Sequence, residues 1–289
     1  ANGEIQAFDN TGNARGGVFM GVEGGGTARY SYDGVDFTEA GTSPTFAGGS
    51  SLVSVASGKL TAQEVAGSFI TGRSYTIVTV SDTSYEAIGA KSNLPGTIFV
   101  ATGPGVGTGT ATPNQDVAVA LAQNGDTTYS YDGGLTWTQG ANAGGGAVPS
   151  GWNSIAYGNG KWMAVASGTT TAGVTANGGT SWTTITLPSS ATWADIAYGA
   201  GTWVVVASDS NTIAYSVDDG NSWSTATASA PGNTGWSSIA FGNNKFVITN
   251  ANANTYIAYS NDNAETWGIV DMTGTGYSHN VTFGQGVFF

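Results

Sequence analysis

The segment Ser216-Val217-Asp218-Asp219-Gly220-Asn221-Ser222-Trp223 decides the fold of this 289-residue chain, because its pattern recurs four more times. Each copy has a hydroxyl residue, an acidic or amide residue two positions later, a small residue and a closing aromatic residue. The other copies occupy 31–37, 130–137, 175–182 and 260–267, and those from 130 onward begin 41 to 45 residues apart. A period of roughly 40–50 residues is typical of a repeat built from four strands.

The residues shared by these copies have a local structural role. A carboxylate or amide oxygen accepts backbone N–H groups in a tight turn, and glycine adopts the positive φ that such a turn requires. The closing aromatic residue covers the apolar layer of the strands. We therefore predict that these side chains hold the outer two strands together, rather than act as catalytic acids or metal ligands. They are Asp33, Asp132, Asn177, Asp218, Asp262, Trp137, Trp182, Trp223 and Trp267.

A second motif precedes each of the last three copies in the same phase. It reads Trp-x-(Ser/Asp)-Ile-Ala-(Tyr/Phe)-Gly at 152–158, 193–199 and 236–242, and an apolar run such as 203–207 follows the glycine. This order predicts a hairpin whose apolar second strand is the buried, inner one. No stretch shows a sustained 3.6-residue apolar period, so almost no helix is expected.

The pattern Ser-x-Asp-x-Gly-x-Thr-Trp resembles the Asp-box, or BNR, repeat of sialidase-like and related β-propellers. Three copies depart from it, with Asn177 in place of Asp, Ala264 in place of Gly and Phe37 in place of Trp. The resemblance implies an all-β fold, a β-propeller of about five four-stranded blades with Asp-box hairpins. Residues 277–289 are expected to add strands that complete the first blade, and a sixth blade is the alternative.

The first interval between copies, from 31 to 130, is longer than one repeat by about 56 residues. The excess predicts a small β-module at 57–113, inserted between the first and second strands of the second blade. Residues 1–56 then hold the first blade and the start of the second. Residues 114–289 hold the remaining blades with ring-closing strands.

The inserted segment resembles a short module of phage structural proteins, such as tail fibres and appendages. The marks of that module are a Gly-x-x-Tyr-Thr-Ile-Val strand, an Ala-Ile-Gly-Ala turn and a glycine-rich close that begins Phe-x-Ala-Thr-Gly. Residues 72–78, 87–90 and 99–110 match these marks. The resemblance implies a virion context and carries no statement about activity.

Composition and charge argue against several partners and sites. The net charge is −12 with only seven Lys and Arg residues, so the basic surface that nucleic acid or an anionic membrane attracts is not expected. No run approaches the roughly 20 apolar residues of a membrane span, and no signal peptide is expected at the start. Without cysteine, disulfides and zinc–thiolate sites are excluded. We expect no cofactor, no metal and no membrane insertion.

The sialidase resemblance does not extend to the residues that such enzymes are expected to use. These are three arginines that grip a carboxylate, a Tyr–Glu pair and an aspartic acid. The chain has only Arg15, Arg29 and Arg73, and Arg73 falls in the inserted module. The single histidine, His279, would need both a Ser and an Asp to form a catalytic triad, and no motif in the sequence positions such a pair. We predict no catalytic residues, with a sialidase-like glycosidase as an alternative.

Three tryptophans, Trp152, Trp193 and Trp236, open the first strand of their repeats. Two roles stay open for them. Aromatic side chains in such positions pack between blades, whereas at a rim they stack on sugars. The three residues are therefore also candidates for glycan binding.

These observations predict a non-enzymatic phage virion structural protein, such as a tail fibre, an appendage or a capsid decoration. The expected partners are other virion proteins, further copies of the chain in an assembly, and host cell-surface polysaccharide, without nucleic acid. The expected location is the surface of the extracellular particle. The alternative is a secreted bacterial adhesin or lectin-like binding module.

Overall fold

The computed structural model describes most of the chain from residue 50 onward. It covers residues 50–131, 134, 136–146, 150–229, 235–250, 256–272, 280–284 and 286–288, and before them Phe46 and the backbone of four short strands. Asp33, Asp132 and His279 lie outside the described residues.

The regular secondary structure of the described residues is almost entirely β-strand. In chain order the strands are β1 (Ile5–Ala7), β2 (Phe19–Val22), β3 (Ala28–Ser31), β4 (Thr38–Glu39), β5 (Leu52–Lys59), β6 (Glu64–Val65), β7 (Ser74–Thr79), β8 (Ile98–Val100), β9 (Thr110–Pro113), β10 (Asp116–Ala122), β11 (Thr127–Ser130), β12 (Thr138–Gln139), β13 (Trp152–Gly158), β14 (Lys161–Thr175), β15 (Thr183–Gly199), β16 (Thr202–Ala207), β17 (Thr212–Ser216), β18 (Ser224–Thr227), β19 (Ser238–Gly242), β20 (Lys245–Thr249), β21 (Tyr256–Ser260), β22 (Gly268–Asp271), β23 (Phe283–Gly284) and β24 (Val287–Phe288). One short 3-10 helix, Glu86–Ile88, accompanies them, and the all-β prediction is confirmed.

The strands form antiparallel sheets that repeat along the chain. Three sheets have the orders β1-β2-β3-β4, β5-β10-β11-β12 and β19-β20-β21-β22, and we call such a four-stranded unit a blade. Strands β13 to β18 form one six-stranded sheet, because β14 and β15 are long. β14 is interrupted by register shifts between Ser167 and Thr171 and by a φ of +70° at Gly168. At the corresponding place in the following repeats, the second and third strands are separate. The C-terminal strands β23 and β24 pair with each other.

The first two strands of successive repeats pair in a single register that brings two aromatic rings together. In four of the described hairpins the rings lie 4.7 to 4.9 Å apart between centroids, whereas in the second blade Ser57 faces Ala118 and no aromatic pair forms. The facing pairs are Tyr157–Trp162, Tyr198–Trp203, Phe241–Phe246 and Phe283–Phe288. The repeated motif therefore gives a repeated hairpin.

The apolar core lies between neighbouring blades. Leu121 of β10 shares a cluster with Trp162 of β14, and Val204 of β16 shares one with Phe246 of β20. All six residues of β16 are buried, as expected for a second strand. The first strands, however, contact one another from repeat to repeat, β5 with β13, β13 with β15 and β15 with β19. The innermost position thus belongs to the first strand, and the prediction of an inner second strand is wrong on this point.

The sheet β6-β9-β7-β8 lies between β5 and β10 in the chain, while β5 and β10 pair directly with each other. Its strands fall within 64–113, and residues 57–59 of the predicted insertion belong to β5. The sheet has a core of its own. This core includes Phe69, Tyr75, Ile77, Tyr85, Ile88 and Phe99. We call this unit the inserted module.

Among the described residues, no helix is long and apolar enough to cross a bilayer.

Candidate functional site

The repeated turn at 216–223 is closed by its own side chains. The hydroxyl of Ser216 donates to Asp218 Oδ1 (2.8 Å) and accepts the backbone N–H of Gly220 (2.8 Å). Asp218 also accepts the backbone N–H of Ser222 at Oδ1 (2.8 Å) and the Ser222 hydroxyl at Oδ2 (2.5 Å). The network joins β17 to β18 within eight residues.

Other described turns build the same network with different residues. Asp262 accepts the backbone N–H of Thr266 (3.0 Å) and its hydroxyl (2.5 Å). Asn177 accepts the backbone N–H of Ser181 (3.0 Å), but its amide donates to the Ser181 hydroxyl (2.8 Å). The amide therefore replaces the carboxylate by reversing one hydrogen bond, which explains why this copy tolerates asparagine.

The turn hydrogen bonds favour the charged form of the two aspartates. The hydroxyl and the backbone N–H of Ser222, followed by the hydroxyl of Ser216, lower the pKa of Asp218 to about 2. The hydroxyl and backbone N–H of Thr266 likewise lower the pKa of Asp262. A carboxylate that is held as an acceptor in this way is a poor proton donor at neutral pH.

The closing tryptophans of these turns are half-buried. Trp223 donates its indole N–H to the carbonyl of Gly220 (3.2 Å), and Trp137 donates in the same way to Gly134 (3.1 Å). Trp267 donates to the carbonyl of Ala264 (3.0 Å). Each of these three tryptophans therefore closes its turn by a hydrogen bond to a backbone carbonyl of the same turn.

The turns also pack against the preceding repeat. Trp182 donates its indole N–H to Thr127 Oγ1 of β11 (3.3 Å). A Cβ on Gly178 would lie 2.9 Å from Val117 Cγ1, and one on Gly220 would lie 2.9 Å from Met163 Cε. Glycine at these positions therefore serves close approach between repeats as well as positive φ.

The candidate glycan-binding tryptophans are completely buried. Trp152, Trp193 and Trp236 each have 0% exposed surface. The indole of Trp193 donates to the carbonyl of Thr169 (3.1 Å). Of the two roles left open for these residues, packing between blades is the one that the structure has, and their candidate role in stacking on sugars is wrong because no ring face is open to solvent.

One carboxylate among the first strands was missed by the sequence analysis. Asp195 of β15 accepts the Ser154 hydroxyl (2.7 Å), the Ser238 hydroxyl (3.1 Å) and the backbone N–H of Ile239 (2.9 Å). It also accepts the N–H of Ile196 (2.8 Å). Asp195 thus links three successive first strands, β13, β15 and β19.

Removal from water dominates the electrostatics of Asp195. Burial raises the pKa of this carboxyl, although its four hydrogen bonds act in the opposite direction. The signal in the sequence was the third position of the second motif, where Asp195 stands in place of Ser154 and Ser238. The described residues contain no group of three or more His, Asp or Glu side chains arranged to hold a metal ion.

Arg73 fastens the inserted module to the second blade. Its guanidinium lies 3.0 Å from Glu64 Oε1 and 4.3 Å from the ring centroid of Tyr131, which follows β11. Glu64 also accepts the hydroxyl of Tyr75 (2.7 Å), and burial is the largest cause that raises the pKa of Tyr75 to about 12. Arg73 is buried, and its side chain contacts Glu64 of the module and Tyr131 of the second blade.

The outer surface of the inserted module carries exposed apolar side chains. Ile98 and Val100 of the edge strand β8 are 67% and 53% exposed, and Leu94 is 67% exposed. No charged residue occurs from 92 to 113. An exposed, uncharged, β-branched edge is the kind of surface that mediates contacts between proteins.

Sequence and structure comparisons differ in what they find. No protein-family profile and no curated protein sequence matches the chain. Virginiamycin B lyase from Staphylococcus aureus matches with 12% identity and a TM-score of 0.59, over 99% of this chain and 80% of the lyase. YCF48 bound to D1 peptide matches with 12% identity and a TM-score of 0.52, over 93% and 70%. A nidogen/laminin complex matches with 10% identity and a TM-score of 0.53, over 93% and 82%.

These neighbours are β-propeller proteins, and at such low identity they show the fold alone. The chain has an all-β, β-propeller fold, and that prediction is confirmed. The number of blades in the ring stays a prediction.

Proposed function

We propose that the chain is a non-enzymatic structural protein of a phage virion, built on Asp-box blades. In this proposal the propeller is the rigid body and the inserted module is the contact surface. The module carries the proposal, because it joins a sequence similar to phage structural modules with a separate core and an uncharged apolar outer edge.

The acidic side chains support a structural role. Both oxygens of Asp218 accept hydrogen bonds from within its own turn, and those of Asp262 do the same. Both oxygens of Asp195 accept protein donors as well. A catalytic carboxylate needs an oxygen directed at substrate, whereas these oxygens close turns and join strands.

The proposed partners at the module are other virion proteins or further copies of the chain. Ile98, Val100 and Leu94 offer an apolar edge, and the absence of charge there lets an acidic protein approach another acidic surface without local repulsion. Host polysaccharide is a proposed second ligand, bound at the propeller surface. The buried residues Trp152, Trp193 and Trp236 take no part in that proposed contact.

Quantitative peptide mapping of density-purified particles tests the virion assignment. We expect the chain to co-purify with the particles at a fixed ratio to the major coat protein. The variant Ile98→Asp, at the module edge, should lower that ratio. Val217→Asp is the matched control, because Val217 is 59% exposed but belongs to the repeated turn between β17 and β18 and not to the module.

The outcomes separate the proposal from its alternatives. Recovery of the chain from cell-free medium, apart from particles, would favour a secreted adhesin instead. Equal incorporation of both variants would show that the module edge makes no contact in the particle. Saturable binding of labelled protein to host cells, lost when surface polysaccharide is removed, would add host recognition.

A further inference from the structure

The dipeptide Asn-Gly occurs three times in the described part of the chain, at 124–125, 159–160 and 177–178. An asparagine in this dipeptide loses its amide readily, because glycine has no Cβ to hinder attack by its backbone nitrogen on the preceding side chain. The local sequence is equally favourable at all three places. The surrounding structure therefore decides which of them reacts.

Asn124 is held in its loop by its own side chain. Its amide group donates to Asp126 Oδ2 (2.8 Å), and its Oδ1 accepts the backbone N–H of Asp126 (3.1 Å). Both ends of the side-chain amide are thus bound to one residue. Attack on the carbonyl carbon of Asn124 requires these bonds to break in a local opening.

Asn177 is held by three hydrogen bonds in the repeated turn at 175–182. Its Oδ1 accepts the Thr175 hydroxyl (2.8 Å) and the backbone N–H of Ser181 (3.0 Å). Its amide group donates to the Ser181 hydroxyl (2.8 Å). These bonds close the turn, so the side chain cannot rotate toward the backbone nitrogen of the next residue unless the turn opens.

Asn159 has a different setting. With Gly160 it forms the two-residue turn between β13 and β14, and the two residues have φ values of +47° and +78°. The side chain is exposed, and in the part of the chain that the structure describes its amide has no hydrogen-bond partner. The corresponding turns of the next two repeats are Ala-Gly at 200–201 and Asn-Asn at 243–244. Among these three turns, the reactive dipeptide therefore occurs once.

We propose that Asn159 is the site at which the folded chain deamidates. The backbone nitrogen of Gly160 forms a bond to the side-chain carbonyl carbon of Asn159, and the bond from that carbon to the amide nitrogen breaks. The amide nitrogen leaves as ammonia and carries away the proton of the Gly160 N–H. Water then opens the five-membered imide at either carbonyl, which leaves an aspartate or an isoaspartate at position 159. Solvent is the only co-reactant.

The isoaspartate product should disturb the contact between this turn and the start of the inserted module. It adds one carbon atom to the main chain of a turn that has only two residues. Gly160 has little room to move, because a Cβ there would lie 1.9 Å from Thr61 Oγ1, in the segment that joins β5 to β6. The inference rests on this turn alone and does not depend on the proposed function.

Peptide mapping by mass spectrometry tests the site. The folded chain is incubated at mildly alkaline pH, and conversion at the three asparagines is followed over time. We expect Asn159 to convert at least about tenfold faster than Asn124 or Asn177, because the other two must first break their side-chain hydrogen bonds. In guanidinium chloride, where the fold is lost, the three sites should convert at similar rates.

Asn159→Ala is the matched variant, since Ala200 occupies the same turn position with a φ of +48°. Anion exchange should separate a growing acidic species from the aged parent chain and little or none from this variant. Conversion of Asn124 or Asn177 as fast as Asn159 in the folded chain overturns the proposal, as does an intact Asn159 after a time that converts the unfolded chain. The same ranking of the three sites in the folded and the unfolded chain also overturns it, because sequence alone would then explain the rates.

Discussion

The ring of Tyr198 lies directly against Gly158, so closely that a Cβ on Gly158 would stand 2.1 Å from the ring carbon Cγ. Gly158 ends the first strand of one repeat, and Tyr198 belongs to the first strand of the next. The same contact recurs at each described junction between successive first strands. The pairs are Gly58–Tyr157, Gly158–Tyr198, Gly199–Phe241 and Gly242–Phe283. The glycine that ends the motif is therefore required by the aromatic residue of the following repeat.

The first prediction concerns that contact. Gly158→Ala should lower the free energy of unfolding by about 1–3 kcal/mol, because the methyl group overlaps the Tyr198 ring and neither strand can shift freely. Gly103→Ala is the matched control, since nothing lies within 4 Å of a Cβ there and the backbone needs no positive φ. Chemical denaturation of both variants gives the comparison.

A double-mutant cycle assigns the effect to the ring. In a Tyr198→Ala background, Gly158→Ala should cost much less than in the parent chain, because the overlapping atoms are gone. Equal costs in both backgrounds would mean that the strain arises elsewhere.

The second prediction concerns the acid response of the turn aspartate. The pKa of Asp218 is lowered to about 2 from an ordinary 3.8, so its contribution to stability is present above about pH 4 and is lost as the pH falls toward 2. Asp218→Asn should fold, because Asn177 closes a similar turn, and should show a smaller fall of the unfolding midpoint over this range. Asp116→Asn, which changes an exposed carboxylate of β10, serves as the charge-matched control. Parallel acid curves for the parent and Asp218→Asn would refute the role of the charged turn.

The third prediction concerns Asp195, whose contribution to stability should change with pH in the opposite direction to that of Asp218. The pKa of Asp195 is raised by burial, so the folded state binds its proton more tightly than the unfolded state does. The parent chain should therefore gain stability relative to Asp195→Asn as the pH falls from neutral toward the ordinary value of 3.8. Urea unfolding at a series of pH values measures the difference, and a gap that stays constant or narrows on acidification contradicts the assignment.

The fourth prediction concerns the attachment of the module. Arg73→Met should destabilise the protein by about 2–4 kcal/mol, because it leaves Glu64 without its cation and Tyr131 without its cation–π partner. Lys91→Met removes an exposed positive charge from the same module and should change stability by less than about 0.5 kcal/mol. Faster proteolysis within 64–113 in Arg73→Met alone would locate the loss. If both variants behave alike, Arg73 does not hold the module.

The sequence predicts the features that repeat and misses those that occur once. Four turns spaced 41 to 45 residues apart, a fifth copy upstream and their resemblance to Asp-box repeats predicted the all-β propeller. The turn role of Asp218 follows from short-range chemistry. Asp195 escaped notice because its three partners lie about 40 residues away along the chain, in strands whose adjacency only the ring creates.

Burial explains the other differences between sequence and structure. Trp193 opens a strand in a way that fits either a rim or a core, and only the neighbouring blade decides that it has no exposed surface. The inner place of the first strands, instead of the second, likewise depends on how the sheets are arranged around one another. The alternation of polar and apolar residues indicates which strand is buried. It does not indicate how far that strand lies from the central axis of the propeller.

Immunogold labelling of intact particles tests the central claim most directly. The antibody should be raised against the segment around Val106 in the inserted module, because that residue is 86% exposed. The account predicts gold at regular positions on intact particles. Unlabelled particles, with the antigen found only on cells or free in the medium, would contradict it.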